Sequence, residues 1–355
     1  MTVHGRLLAV CACIPCLCLG AAVRAGDPPA YTPPAYVDVN LFCEQDVTVG
    51  TGEWALPGTL TLPVGPGPFP ALALVHGSGP NDRDETIGPN KLFRDLAWGL
   101  ACRGLSVLRY EKRTKQHAAR FTADVLATLT VKEETIDDAL LAVACLRGRP
   151  EIDPNQVYVL GHSQGGYLLP RIGTADPNIA GLISMAGATR PLEDLIQEQV
   201  AYIAALDGAV SPTEQALLDA LAVQAALAKD PNLPADMPAS SWPLGVPANY
   251  WLDLQGYRPA EDANLLDMPM LFLQGGRDYQ VTLVDLEGWR STLGSREDVE
   301  FRVYPDLNHA FIAGTGLCTP AEYDVPGHVA EQVVADVAAW ILRPEGEGSV
   351  SPEEP

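Results

Sequence analysis

The chain is short of positive charge: 23 Lys and Arg stand against 45 Asp and Glu in 355 residues. A surface of that sign repels phosphate backbones, so no nucleic-acid partner is expected. The glycine patterns of a P-loop or a dinucleotide site are missing beyond the first 25 residues, and so is any metal-ligand spacing. No cofactor and no metal is therefore expected. Aromatic residues are sparse at 7%, yet hydrophobic residues reach 47%, ample for a buried core.

The apolar run from Leu7 to Val23 is short and interrupted by Pro15. It follows His4 and Arg6 and ends in the small-residue stretch Val23-Arg24-Ala25. Residues 1–25 thus read as a signal peptide rather than a membrane anchor, and the protein is expected to be exported, periplasmic or secreted. Lipoprotein processing at a leader cysteine is the lesser alternative. Of the 23 basic residues Arg6 and Arg24 lie in this leader, so the remainder carries 21 against 45 acidic residues, a net charge of −24. Cys11, Cys13, Cys16 and Cys18 also belong to the leader. Cys43, Cys102, Cys145 and Cys318 remain, and export would permit disulfides among them. A Cys43–Cys318 bridge is left open.

The densest signal is Gly161-His162-Ser163-Gln164-Gly165. The apolar run Val157-Tyr158-Val159-Leu160 precedes it, and Gly166-Tyr167-Leu168-Leu169 follows. That order reads as strand, tight turn and helix, with a serine at the apex. Small flanking residues are needed there because the turn crowds its own backbone, and the serine oxygen is left in the open at the carboxyl edge of a sheet.

A serine hydroxyl is a weak nucleophile and needs a base, which in turn needs a group to orient it. In a strand–turn–helix site of this kind the order is serine, acid, histidine. Only His309 and His328 follow Ser163. His309 lies in a loop after the apolar run at 299–304, whereas His328 opens a helical pattern, so His309 is the expected base. Asp278 follows the apolar run Met270-Leu271-Phe272-Leu273 through Gly275-Gly276 and is the expected acid. The run Ala71-Leu72-Ala73-Leu74-Val75 ends in His76-Gly77-Ser78-Gly79-Pro80, where small residues leave amides able to face a developing negative charge. The backbone N–H groups of Ser78 and Gln164 are the expected oxyanion donors, with His76 structural.

These stretches, in this order, resemble the α/β-hydrolase superfamily. The segments from Val75 to Thr86 and from Val107 to Lys115, with Gly161 to Gly166, resemble bacterial serine carboxylesterases of the EstD type. The resemblance spans about residues 46 to 341. It implies an α/β-hydrolase fold, a mostly parallel central sheet flanked by helices with a helical cap insertion. It also implies an exported enzyme that acts on short acyl esters as small-molecule substrates without a metal. In such a fold the helices that carry Cys102 and Cys145 cover opposite faces of the sheet and do not pair. A Pro-rich amino-terminal lead departs from the family pattern.

The expected organisation is a Pro-rich linker at 26–40, a hydrolase core at 41–189 and 265–343, a helical cap at 190–264, and a disordered acidic tail at 344–355. Strand and helix alternate through both core parts, which argues for a parallel sheet. The rhythm stops in the cap. There Trp242, Tyr250 and Trp251 either line a substrate pocket or pack the cap onto the body. His162 and Arg113 are further candidates to touch substrate. The charged runs 82–85 and 109–115 leave the same sheet edge, either to pair with each other or, through Arg109 or Arg113, to recognise an acidic group. The same residues would serve a thioesterase or an acyltransferase. An aminopeptidase would need a cap carboxylate such as Glu193 or Glu198. A binding protein without catalysis would not need all four parts. No long apolar lid of the interfacial-lipase kind is evident, no stable membrane span is expected in the mature chain, and oligomeric state is not legible.

Overall fold

The computed structural model describes residues 31–234 and 237–343. The expected leader and acidic tail lie outside them. Eight strands form one sheet: β1 (Phe42–Val49), β2 (Leu56–Pro63), β3 (Phe69–Val75), β4 (Ser106–Tyr110), β5 (Ile152–His162), β6 (Leu182–Met185), β7 (Met270–Gly275) and β8 (Val299–Tyr304). Their order across the sheet is β1-β2-β4-β3-β5-β6-β7-β8. The β1–β2 and β2–β4 pairs are antiparallel, and every other pair is parallel. The central strands read as unbroken apolar runs because helices cover both of their faces. From Ala71 to Val75 every residue is fully buried.

Helices fill the crossovers, α1 (Leu92–Ala101), α2 (Asp137–Arg147), α3 (Gln164–Ala175), α4 (Leu192–Ala205), α5 (Pro212–Ala228), α6 (Ala248–Leu254) and α7 (Leu283–Leu293), and α8 (Glu331–Ile341) follows the last strand. Buried residues of α1 and α8, such as Phe93 and Val337, share one core cluster, while those of α2, α3 and α7, such as Ala142, Leu168 and Trp289, share another. The sheet separates the two. Cys102 and Cys145 follow these helices to opposite faces, and all four described cysteines are free thiols. No helix among the described residues is long and apolar enough to cross a membrane.

Three local departures from the sequence expectation have physical causes. The run 133–147, which local propensity favours as one continuous helix, opens with one wider turn of π-helix, Lys132–Ile136. Strand β5 begins five residues before the expected 157, because Ile152 pairs with Phe69 across a register shift. The described part of the Pro-rich lead is fastened down: the Tyr31 hydroxyl donates to Asp95 at 2.6 Å and the Tyr36 hydroxyl to the Val329 carbonyl at 2.8 Å. Pro170 sits within α3, where it has no N–H for the Gly166 carbonyl, and the helix continues past it to Ala175.

Helices α4, α5 and α6 all lie between β6 and β7. They carry a core of their own, in which Trp242 and Trp251 pack with Ile196, Ala228 and Leu233.

Candidate active site

Ser163 lies between β5 and α3 with φ 53° and ψ −116°, a left-handed conformation unusual for a side chain of its kind. The turn closes because its neighbours lack a Cβ. A methyl group on Gly161 would overlap the Gly165 carbonyl, and one on Gly165 would overlap the Val75 carbonyl. Gly77 closes the third side, where an added Cβ would lie 3.1 Å from Ser163 Cβ. The loop after β3 therefore packs directly against the serine. Ser163, Gln164 and Ser78 line one cleft. Gln164 is the first residue of α3, so its amide has no acceptor within the helix.

Asp278 follows β7, and His309 lies in the loop after β8. The imidazole Nδ1 and the carboxylate Oδ2 are 2.6 Å apart, with both side chains buried. The Asp278 carboxylate is held in place by the backbone N–H groups of Gln280 at 2.7 Å and Val281 at 3.0 Å, and by the Gln274 amide at 3.1 Å. The two loops touch closely: a Cβ on Gly275 would lie 2.6 Å from the Leu307 carbonyl oxygen. An imidazole bonded through Nδ1 to a fixed carboxylate presents its other nitrogen as an acceptor.

The cleft encloses about 540 Å³, its open mouth included. Its walls are Tyr167 of α3, Ala188, Leu192, Leu195 and Ile196 of α4, Leu244 and Val281. Gln199 and Gln280 are its polar members beside Ser78, Ser163 and Gln164. Among the described residues, no charged one lines it. The α4 wall went unnoticed in the sequence. Positions 192, 195, 196 and 199 share one helix face, and a glutamine on an otherwise apolar stripe was the available signal.

Four residues expected at the substrate are placed elsewhere. Arg113 binds Asp138 with two nitrogens, at 2.8 and 2.5 Å, and stacks over Trp54, because a buried carboxylate next to it demands a cation. His162 is enclosed behind the serine turn, with Nδ1 3.2 Å from Glu85 and Nε2 2.9 Å from the His309 carbonyl. Trp251 fills the core of the α4–α6 segment and donates its indole N–H to the Val246 carbonyl at 3.2 Å. Tyr250 is buried beside the cleft rather than in it: its hydroxyl donates to Glu134 at 2.7 Å and accepts from the Gln164 side-chain amide.

The charged runs at 82–85 and 109–115 do meet. Lys112 N–H donates to the Asn81 carbonyl at 3.1 Å, Arg109 pairs with Asp84 and Glu44, and Arg83 pairs with Glu111 at 2.8 Å. His76 is buried against Phe93 and Tyr110, with Nε2 3.1 Å from the Asp82 carbonyl. Burial takes its pKa down to about 4, against the opposing pull of Glu85. For His162 burial acts in the same downward direction, but the Glu85 carboxylate and the His309 carbonyl outweigh it and raise its pKa. Burial likewise opposes ionisation of Glu85, and the two histidines with the Gly77 N–H overcome it, so its pKa is lowered.

A mostly parallel eight-stranded sheet with a serine turn at its centre defines an α/β hydrolase. A family model described as serine aminopeptidase, S33, matches residues 91–314, and the chain belongs to that family. It is 45% identical over 315 residues to esterase EstD of Thermotoga maritima, across 88% of this chain and 71% of that protein. The protein is a carboxylesterase-like serine hydrolase of the EstD type. Among solved structures, Est1E of Butyrivibrio proteoclasticus aligns with a TM-score of 0.53 at 17% identity, over 84% of this chain and 97% of that one. A Pyrococcus furiosus esterase aligns with a TM-score of 0.51 at 17% identity, over 78% and 89%. At such identities these two neighbours bear on the fold alone.

Proposed function

We propose that the protein hydrolyses short, uncharged acyl esters in two steps through Ser163, His309 and Asp278. His309 takes the Ser163 proton as the oxygen attacks the ester carbonyl. Asp278 holds the imidazole in the required tautomer and stabilises its cation. The N–H groups of Ser78 and Gln164 receive the oxyanion. The proton passes to the leaving alcohol, and water then repeats the sequence on the acyl-enzyme. The observation that carries this reading is an uncharged, mostly apolar cleft opening on Ser163, in a fold where a bonded His309–Asp278 pair stands beyond the ends of β7 and β8.

The family description favours a second reading, hydrolysis at the free amino end of a peptide. A site for an amine needs a carboxylate, and none among the described residues lines the cleft. Glu198 is paired with Arg190, and Glu193 is buried on α4 with its pKa raised by burial. The esterase reading is therefore preferred. Residues 7–23 ahead of Val23-Arg24-Ala25 support export as part of the same proposal.

Purified protein assayed on aryl esters of increasing acyl length should show kcat/KM highest on the short members. Ser163→Ala should reduce kcat at least about 10⁴-fold. Faster turnover of aminoacyl anilides than of esters would favour the peptidase reading, and a folded protein inert to every ester would overturn the proposal.

A further inference from the structure

The segment Tyr110-Glu111-Lys112-Arg113 stands apart in the sequence, and its lysine has no part in the chemistry above. Lys112 lies two residues past the end of β4 and is only 2% exposed. Its ammonium donates to the Gly77 carbonyl at 2.8 Å and lies 3.1 Å from Glu134. We propose that Lys112 is a positioning residue for the oxyanion site, acting through the Gly77–Ser78 peptide. The inference rests on the esterase reading above, in which Ser78 N–H is a donor.

The argument is one of peptide geometry. Gly77 C=O and Ser78 N–H belong to one planar trans unit and point in opposite directions. Fixing the carbonyl therefore fixes the direction of the N–H at the other end, on the residue that lines the cleft. A cation on the carbonyl also draws density from the amide nitrogen and strengthens its N–H as a donor, because hydrogen bonds in a chain polarise one another. Satisfying the carbonyl did not require a charge: the Asn81 side-chain amide already donates to it at 3.1 Å. Burying an ammonium is costly unless it is paired, so Lys112 needs Glu134. The preceding peptide is held as well, since Gly77 N–H donates to Glu85 at 2.6 Å.

The chain of contacts reaches the second donor residue. Glu134 stands in the π turn before α2, a local irregularity of the kind often found at functional sites. It accepts from Tyr250, which in turn accepts from the side chain of Gln164. Lys112, Glu134 and Tyr250 thus join the peptide that carries one oxyanion donor to the residue that carries the other.

The test is steady-state kinetics of Lys112→Met, Lys112→Arg and Tyr250→Phe on a short aryl ester, together with the affinity of an aryl trifluoromethyl ketone. That ketone forms a tetrahedral oxyanion on the serine, whereas a substrate-shaped ketone lacking fluorine does not. Lys112→Met should lower kcat on the order of 10- to 100-fold, less than deletion of a direct donor, with KM little changed. Affinity for the trifluoromethyl ketone should fall in parallel, and affinity for the plain ketone should hold. Lys112→Arg should recover part of the loss, and Tyr250→Phe should lower kcat several-fold with the same inhibitor pattern.

If Lys112→Met does not fold, judged by circular dichroism and thermal midpoint, Tyr250→Phe and Lys112→Arg decide the matter. Folded variants with wild-type kcat and ketone affinity, or with only KM altered, would overturn the inference. A wild type inert to esters defeats the underlying reading instead. An active wild type with a dead Ser163→Ala and an unaffected Lys112→Met defeats this inference alone.

Discussion

His76 and His162 are both buried beside the serine turn, yet their pKa values move in opposite directions. With its folded value near 4 against an ordinary 6.5, His76 is kept neutral by the fold. Its contribution to stability is present above pH 6.5 and is lost as pH falls through about 4, by about 3 kcal/mol. His162 has a raised value, so its contribution is present below 6.5 and is lost as pH rises through the folded value. Glu85, with a lowered value, adds stability above 4.5 that is lost on acidification. Urea midpoints measured from pH 8 to 4 should therefore show a shallower acid decline for His76→Asn and a steeper one for His162→Asn. Identical slopes in the two variants would contradict this account. The strand-end positions of Ser163, Asp278 and His309 were legible because each follows an apolar run broken by glycine or a turn. The surroundings of His162, Tyr250 and Arg113 were not. Their partners Glu85, Glu134 and Asp138 lie far away in sequence or on another element, and only the folded chain brings them together.

Helix α4 shows what periodicity gives and withholds. Its extent, residues 192–205, was readable from the amphipathic pattern. Which apolar neighbour its stripe meets was not, because a helix face can pack on core or border a cavity with the same residues. Leu195 does both, being 4% exposed while lining the cleft. Leu195→Ala should enlarge the space in front of Ser163 and raise kcat/KM on longer acyl chains relative to short ones by about 10-fold. It should also lower unfolding stability by about 2–5 kcal/mol. An unchanged acyl-length profile in the folded variant would mean that α4 does not bound the acyl group. The π turn at Lys132–Ile136 was hidden for a different reason: local propensity favours a continuous helix there, and the wider turn places Glu134 between Lys112 and Tyr250.

At the scale of the whole molecule, the described residues hold together through the two clusters flanking the sheet, and their four cysteines form no disulfide. Cys43 is exposed on the outermost strand, and Cys318 is buried near Tyr323, where burial and Glu322 push its thiol up to about 12. Reductant should leave the thermal midpoint unchanged. A maleimide should label Cys43 in the native protein and Cys318 only after denaturation, and mass spectrometry would read both. A reductant-sensitive midpoint would point to a disulfide instead. The sheet architecture was readable from the alternation of strands and helices, whereas the docking of Tyr31 and Tyr36 was obscured by the prolines around them.

The α4–α6 segment has a private core built on Trp242 and Trp251, and it enters and leaves the sheet between neighbouring strands. A lineage could therefore exchange that segment and acquire a new substrate range while inheriting the sheet and its loops intact. Several positions tie the segment to the body, among them Asn249, Asp253 and Tyr250. Any replacement would have to return a phenol where Tyr250 stands, or leave Glu134 and Gln164 without their shared neighbour.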